Sequence, residues 1–213
     1  VAGMAIDNAV GGTGDLYVAT TDGRLLRYDA TDGSYVAEIG TIRDADTGEA
    51  LLVTAIEFDD TTGQLIGIDE RFDRLVTIEH RHTALASIGD LGADRNIAAM
   101  TVLPNDTMYV VDNNAGVFEL YRVDRDDEGA VSAFTLVGDL NDGTNPITGA
   151  VSGVAAITAS AGGALYTVGT RLSVHAAGDQ ELFTVDPLTG VVTSLGVLTD
   201  VDGIVFDTID CLA

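Results

Sequence analysis

The chain contains no lysine and no tryptophan, and only one cysteine. Its 10 basic residues are all arginine and stand against 34 acids, 26 Asp and 8 Glu, for a formal net charge of −24. Without clustered cations there is little to hold a phosphate backbone, so no nucleic-acid partner is expected. Docking on an anionic membrane surface is disfavoured for the same reason. No run of about 18 apolar residues occurs, so no membrane insertion is expected. The lone Cys211 excludes an internal disulfide and leaves the redox compartment open. A basic start followed by an apolar stretch is missing, although Val1-Ala2-Gly3 would suit the residues after a removed signal peptide. A sustained 3.6-residue period over ten or more positions is also missing, so helix should be nearly absent.

What is present is a core-forming composition, 46% hydrophobic and 21% charged, over 213 residues. An excess of carboxylates repels itself at low salt and is screened at high salt. Lysine depletion with aspartate excess therefore suits a saline setting; an acidic secreted protein from a high-GC genome and a cation-binding protein are the alternatives. The expected location is secreted or at the cell surface.

The sequence repeats. Leu25-Leu26-Arg27-Tyr28-Asp29 recurs as Leu75-Val76-Thr77-Ile78-Glu79, Leu120-Tyr121-Arg122-Val123-Asp124 and Leu182-Phe183-Thr184-Val185-Asp186. Each copy is preceded by a segment such as Leu16-Tyr17-Val18 or Met108-Tyr109-Val110-Val111. Before that comes a segment rich in Gly and Ala, such as Gly3-Met4-Ala5-Ile6-Asp7 or Gly153-Val154-Ala155-Ala156-Ile157. A short apolar run ending in Gly follows each copy: Ile39-Gly40, Ile88-Gly89, Val137-Gly138 and Leu195-Gly196. The segments are short and filled with Val, Ile, Leu, Tyr and Thr, and turn formers separate them, which is strand chemistry. Four strands in about 50 residues are the signature of a β-propeller blade. Radial stacking buries both faces of each sheet, and the crowded innermost strand needs small residues. The expected fold is all-β: one β-propeller domain, 1–213, of four-stranded antiparallel blades in repeats 1–42, 53–92, 97–140 and 151–199. The stretches 141–150 and 169–179 read as insertions.

The composite Gly-Ile-Ala-Phe-Asp, Leu-Tyr-x-Val, Leu-x-x-Ile-Asp-x-x-Thr-Gly resembles the repeats of secreted bacterial and archaeal propellers of the NHL and YVTN types. Asp186-Pro187-Leu188-Thr189-Gly190 is the nearest local match. The resemblance covers the whole chain and implies fold rather than function, because such propellers serve as binding platforms, spacers and a few enzymes.

The ends do not balance. Val201-Asp202-Gly203-Ile204-Val205-Phe206-Asp207 matches the opening Val1 to Asp7, so a fifth innermost strand at 201–210 is surplus to four blades. It would belong to a longer propeller, close the ring beside the first blade, or pair with a protein partner or a second copy.

Candidate sites are acidic. Asp124, Asp126 and Glu128 stand at positions 1, 3 and 5 of a calcium-type loop with Gly129 at 6, but Thr135 occupies the twelfth place. Asp44, beside Arg43, with Asp46 and Gly48-Glu49, and Asp139-Leu140-Asn141-Asp142-Gly143 are similar arrangements, the first of them shorter; all three also read as ordinary turns. Strand-end residues Asp7, Glu57, Asp59, Asp69, Glu70, Asp112, Asn113 and Asp207 would face a central channel. Related propeller lactonases hold a metal there with carboxylates and Asn, and the resemblance implies that Glu57, Asp69, Asp112 and Asn113 would mimic that set. Calcium is thus the one cofactor to consider. His80 and His82 share a face of a strand but lack a third ligand, and His175 is isolated. No serine has the strand-to-helix context of a nucleophile, and no phosphate loop is present. The expected function is a non-catalytic extracellular or surface propeller acting as a binding or structural module. The alternative is a calcium-dependent hydrolase of the lactonase kind that uses the channel carboxylates.

Overall fold

A computed structural model describes residues 2–8, 12–59, 62–69, 71, 74–80, 84–91, 95–114, 116–125, 131–141, 151–171 and 180–198. Among them there is no helix. Blade 1 is β1 (Gly3–Ile6), β2 (Leu16–Ala19), β3 (Arg24–Tyr28) and β4 (Tyr35–Thr41). After the two-residue β5 (Arg43–Asp44), blade 2 is β6 (Val53–Phe58), β7 (Leu65–Asp69), β8 (Arg74–Glu79) and β9 (Ala84–Asp90). Blade 3 is β10 (Ile97–Val102), β11 (Met108–Asn114), β12 (Val117–Arg125) and β13 (Val131–Asp139). Blade 4 is β14 (Val151–Ala159), β15 (Leu165–Arg171), β16 (Glu181–Val185) and β17 (Val192–Val197). In each blade the strands neighbour one another in chain order. These are four antiparallel blades of a β-propeller, as the repeat implies. β14 begins just after the first stretch read as an insertion, and β15 runs into the second, 169–179. The surplus segment 201–210 lies outside the described residues.

The chain divides into two compact units, one of Val1–Ile97 with Asp124–Ala133 and one of Ala98–Val123 with Phe134–Leu212. Each has its own core. In the first, blades 1 and 2 bury Tyr17, Leu25, Phe58, Leu65 and Ile78 together, with Ile42 and Leu51 from the connection. In the second, blades 3 and 4 bury Tyr109, Phe118, Leu120, Leu165, Phe183 and Val185. Each fully buried Phe contributes about 1.5–3 kcal/mol of transfer free energy.

Burial is greater in the two inner strands of a blade than in its outermost strand. All five residues of β7 are buried, whereas β4 and β13 are half-buried or exposed. The small inner residues answer to packing: a Cβ on Gly3 would stand 2.8 Å from the Ile56 nitrogen and 3.0 Å from the Ala55 Cα of the neighbouring blade.

In blades 1, 2 and 4 the apolar-Gly pattern that closes the repeat marks a β-bulge. Leu25 pairs with Gly40 while Leu26 pairs with Glu38, which leaves Ile39 as the extra residue. Blade 2 repeats this with Leu75 and Gly89, Val76 and Ser87; blade 4 does so with Leu182 and Gly196, Phe183 and Ser194. Gly40 and Gly196 have φ of 139° and 131°, a region that side chains avoid. The bulge bends and twists the outer strand at the same place in each of these blades.

Candidate functional site

One turn recurs four times: Asp29–Gly33, Asp44–Gly48, Asp59–Gly63 and Asp186–Gly190. In each, the Gly N–H donates to the Asp carbonyl at 2.7 to 2.9 Å. The four glycines have φ of 71°, 71°, 69° and 74°. The Asp Oδ1 accepts the amide N–H two or three residues on: from Thr31 at 2.8 Å, Asp46 at 2.9 Å, Thr47 at 3.0 Å, Thr62 at 3.0 Å and Leu188 at 2.8 Å. These are Asx turns, in which the carboxylate replaces backbone acceptors that the turn cannot supply. One oxygen of each acid is therefore committed to folding.

At two of these turns an arginine takes the second oxygen. Asp59 is 1% exposed, and its Oδ2 lies 2.9 Å from Arg125 Nη2. Asp44 Oδ2 accepts from Arg74 Nη2. Arg74 Nε donates to Asp69 Oδ2 at 3.0 Å. Arg74 thus bridges two carboxylates, and Asp69 is fully buried. The other oxygen of Asp69, Oδ1, is buried without a hydrogen-bond partner among the described residues. The Arg74 hydrogen bond, followed by the Thr47 and Asp46 amides, lowers the Asp44 pKa from its ordinary 3.8 to about 2. Beside this cluster Arg71 Nη2 donates to Glu49 Oε2 at 3.0 Å.

The other expected residues fall as follows. Glu57 is half-buried near the Asp59 end of β6, paired across with Ile66. Asp69 ends β7 at the opposite end of that sheet, three residues beyond Ile66 and about 10 Å along the strand. The structure therefore does not bring Glu57 and Asp69 together. Asp7 is buried, and its Oδ2 accepts from the Thr13 N–H at 2.9 Å. In the second unit Asp112 is 2% exposed on β11 and pairs directly with Glu119 on β12. Both carboxylates lie on the sheet face turned away from the core that holds Val111 and Phe118. Tyr121 donates its hydroxyl to Glu119 Oε2 at 3.0 Å. Asn113 points to the other face and accepts from the Gly116 N–H at 3.0 Å, which makes it a turn residue.

Asp124 lies at the end of β12, where its carbonyl accepts from the Ser132 hydroxyl at 3.2 Å. Asp126 and Glu128 lie outside the described residues, as do Glu70, His82, His175, Asp142, Asp207 and Cys211. Asp139 ends β13, and its carbonyl accepts from Asn141 Nδ2 at 2.7 Å. His80 is half-buried and packs edge-on against Tyr17 and Phe58, with ring centroids 5.4 Å away in both cases. Among the described residues no three of His, Cys, Asp and Glu converge as a metal group.

Sequence reasoning missed Arg74, Arg125 and Glu119. Asp69 and Arg74 form the last pair of a hairpin, so that link was within reach of a strand-register argument. Arg125 meets Asp59 across two repeats, a contact with no local signal.

No family model and no curated protein sequence matches the chain. Solved structures do. A gluconolactonase from Xanthomonas campestris superposes with TM-score 0.58 at 15% identity, covering 90% of this chain and 60% of that one. A second gluconolactonase-like structure gives TM-score 0.57 at 16% identity, covering 88% and 61%. An inactive variant of virginiamycin B lyase from Staphylococcus aureus gives 0.52 at 13% identity, covering 94% and 57%. The chain thus spans about three-fifths of the length of these proteins. At such identities the likeness establishes the β-propeller fold and nothing finer. Because two of these neighbours are gluconolactonase-like propellers, the expectation of a non-catalytic module gives way to the lactonase-like alternative as the reading to propose.

Proposed function

We propose that this chain belongs to a lactonase-like propeller enzyme, a hydrolase that opens a cyclic ester. The observation that carries the reading is the fold likeness to gluconolactonase-like propellers over about nine-tenths of the chain. Buried acids on the inner strands support it, because water-poor carboxylates are what a hydrolytic site draws on.

Calcium dependence is part of the proposal, and the residues divide over it. Asp69 does not fit: its carboxylate bonds Arg74, whose guanidinium stands where a cation would. Asp112 fits by donor chemistry, as a buried carboxylate with Glu119 directly across on the same face. When bound, calcium would polarise an ester carbonyl and acidify a water. The protein's own part is to hold these oxygens in place. The β11–β12 ladder fixes the two acids opposite each other, and the Tyr121 hydroxyl orients Glu119. The lysine-free, acid-rich surface supports a saline or extracellular working environment.

The test is turnover on a panel of lactones and esters. Asp112→Ala should abolish lactone hydrolysis while circular dichroism and melting stay those of a folded protein. Glu57→Ala probes the first unit in the same assay. Absence of turnover on every lactone by the wild-type protein would overturn the reading.

A further inference from the structure

The arrangement of charge bears on which cyclic esters such an enzyme takes. We infer that the substrate is uncharged or cationic, and that the protein's field drives the anionic product away. The inference rests on the hydrolase reading above.

The first ground is the charge itself, −24 with no lysine. The second is where the arginines go. To hold a phosphate or carboxylate group, a site needs a free guanidinium fork or an ammonium. Here Arg24 lies 2.9 Å from Asp22 and 3.5 Å from Glu38. Arg27 lies 3.6 Å from Asp15, and Arg71 lies 3.0 Å from Glu49. Arg74 is shared by Asp44 and Asp69, and Arg125 is taken by Asp59. Arg43 donates to the Gly48 carbonyl at 3.0 Å, and Arg95 and Arg122 are engaged as well. Each described guanidinium is thus used within the protein, most of them by an adjacent carboxylate. Ten arginines against 34 acids leave the excess of negative charge in place.

The chemistry gives this field a direction. In lactone hydrolysis the water oxygen bonds the acyl carbon and the ring C–O bond breaks. One water proton ends on the ring oxygen as a hydroxyl; the other leaves the new carboxylic acid for solvent. A neutral molecule enters and an anion leaves. A field of one sign alters encounter rates of charged ligands by roughly 10- to 1,000-fold, and the effect fades as salt shortens the Debye length from about 10 Å at 0.1 M to about 3 Å at 1 M.

Two measurements on the same protein decide it. The first compares kcat/KM for a neutral lactone with that for the same lactone phosphorylated on an exocyclic hydroxyl, in 0.02 M and 1 M NaCl. The phosphorylated ester should be slower by about tenfold or more at low salt and should recover at high salt, while the neutral lactone changes by less than about twofold. Equal values at low salt overturn the inference and leave the hydrolase reading standing. The second needs no activity: relaxation of exposed turn amides near Asp32, Asp46 and Asp106 by a cationic and an anionic nitroxide. The cationic probe should dominate about tenfold at low salt and lose its advantage at 1 M. Equal approach of the two probes overturns the inference. Probe asymmetry without turnover of any lactone removes the hydrolase reading, and leaves charge selection as a property of every ligand that approaches.

Discussion

Asp44 shows how one carboxylate does two jobs. Its Oδ1 closes a turn and its Oδ2 holds Arg74, and together these bonds lower its pKa from 3.8 to about 2. A depressed carboxylate stabilises the folded state above the unfolded pKa and loses that contribution as pH falls through the folded one. The fall in stability between about pH 4 and pH 2 should therefore be shallower in Asp44→Asn than in the wild type, read by urea unfolding across that range. Parallel curves would contradict the assignment. Arg125 and Arg24 offer a second contrast. Arg125→Ala leaves the buried Asp59 without its cation and should cost on the order of 3 kcal/mol. Arg24→Ala removes exposed pairs with Asp22 and Glu38 and should cost less than about 1 kcal/mol. Equal losses in denaturant melts would refute the distinction. At this scale the sequence shows which acids stand at strand ends, but not what faces them. Asp69 is legible as a strand-end acid; that Arg74 neutralises it depends on hairpin register, and the Asp59–Arg125 pair depends on how separate repeats pack.

The blade elements were the most legible part, because the strands carry a repeated apolar pattern and the four recurring turns carry Asp, Thr and Gly. What the pattern did not explain is why Gly follows the apolar residue near the end of every repeat. The structure answers with a bulge that needs φ near 131° at Gly196. No atom lies within 4 Å of where a Cβ would sit there, so Gly196→Ala isolates the backbone cost. It should destabilise the protein by about 1 kcal/mol. Gly138→Ala should cost at least as much for a different reason, since its Cβ would come within 2.6 Å of the Thr189 carbonyl oxygen. Unchanged chemical-denaturation midpoints in both variants would show that these glycines are not required. The calcium-loop reading of Asp44–Gly48 gave way at this scale, because Asx turns use the oxygen that a cation would need.

For the whole molecule, −24 is a self-repulsion that salt relieves. The melting temperature should rise between 0.05 M and 1 M NaCl, and a flat response would remove the saline reading. That expectation comes from composition alone. Which acids meet one another was not: a periodic sequence places Glu57 and Asp69 at strand ends without saying that these are opposite ends of one sheet. The measurement that bears most directly on a hydrolase with a calcium site is a thermal melt in 1 M NaCl, with excess EDTA and then with millimolar calcium. The high salt removes the general charge effect. Calcium at about 100 times its dissociation constant should add about 2.7 kcal/mol, roughly 5–10 °C for a chain of this length, and Asp112→Ala should lose that rise. Identical melting temperatures with EDTA and with calcium would contradict a calcium site on the inner-strand carboxylates.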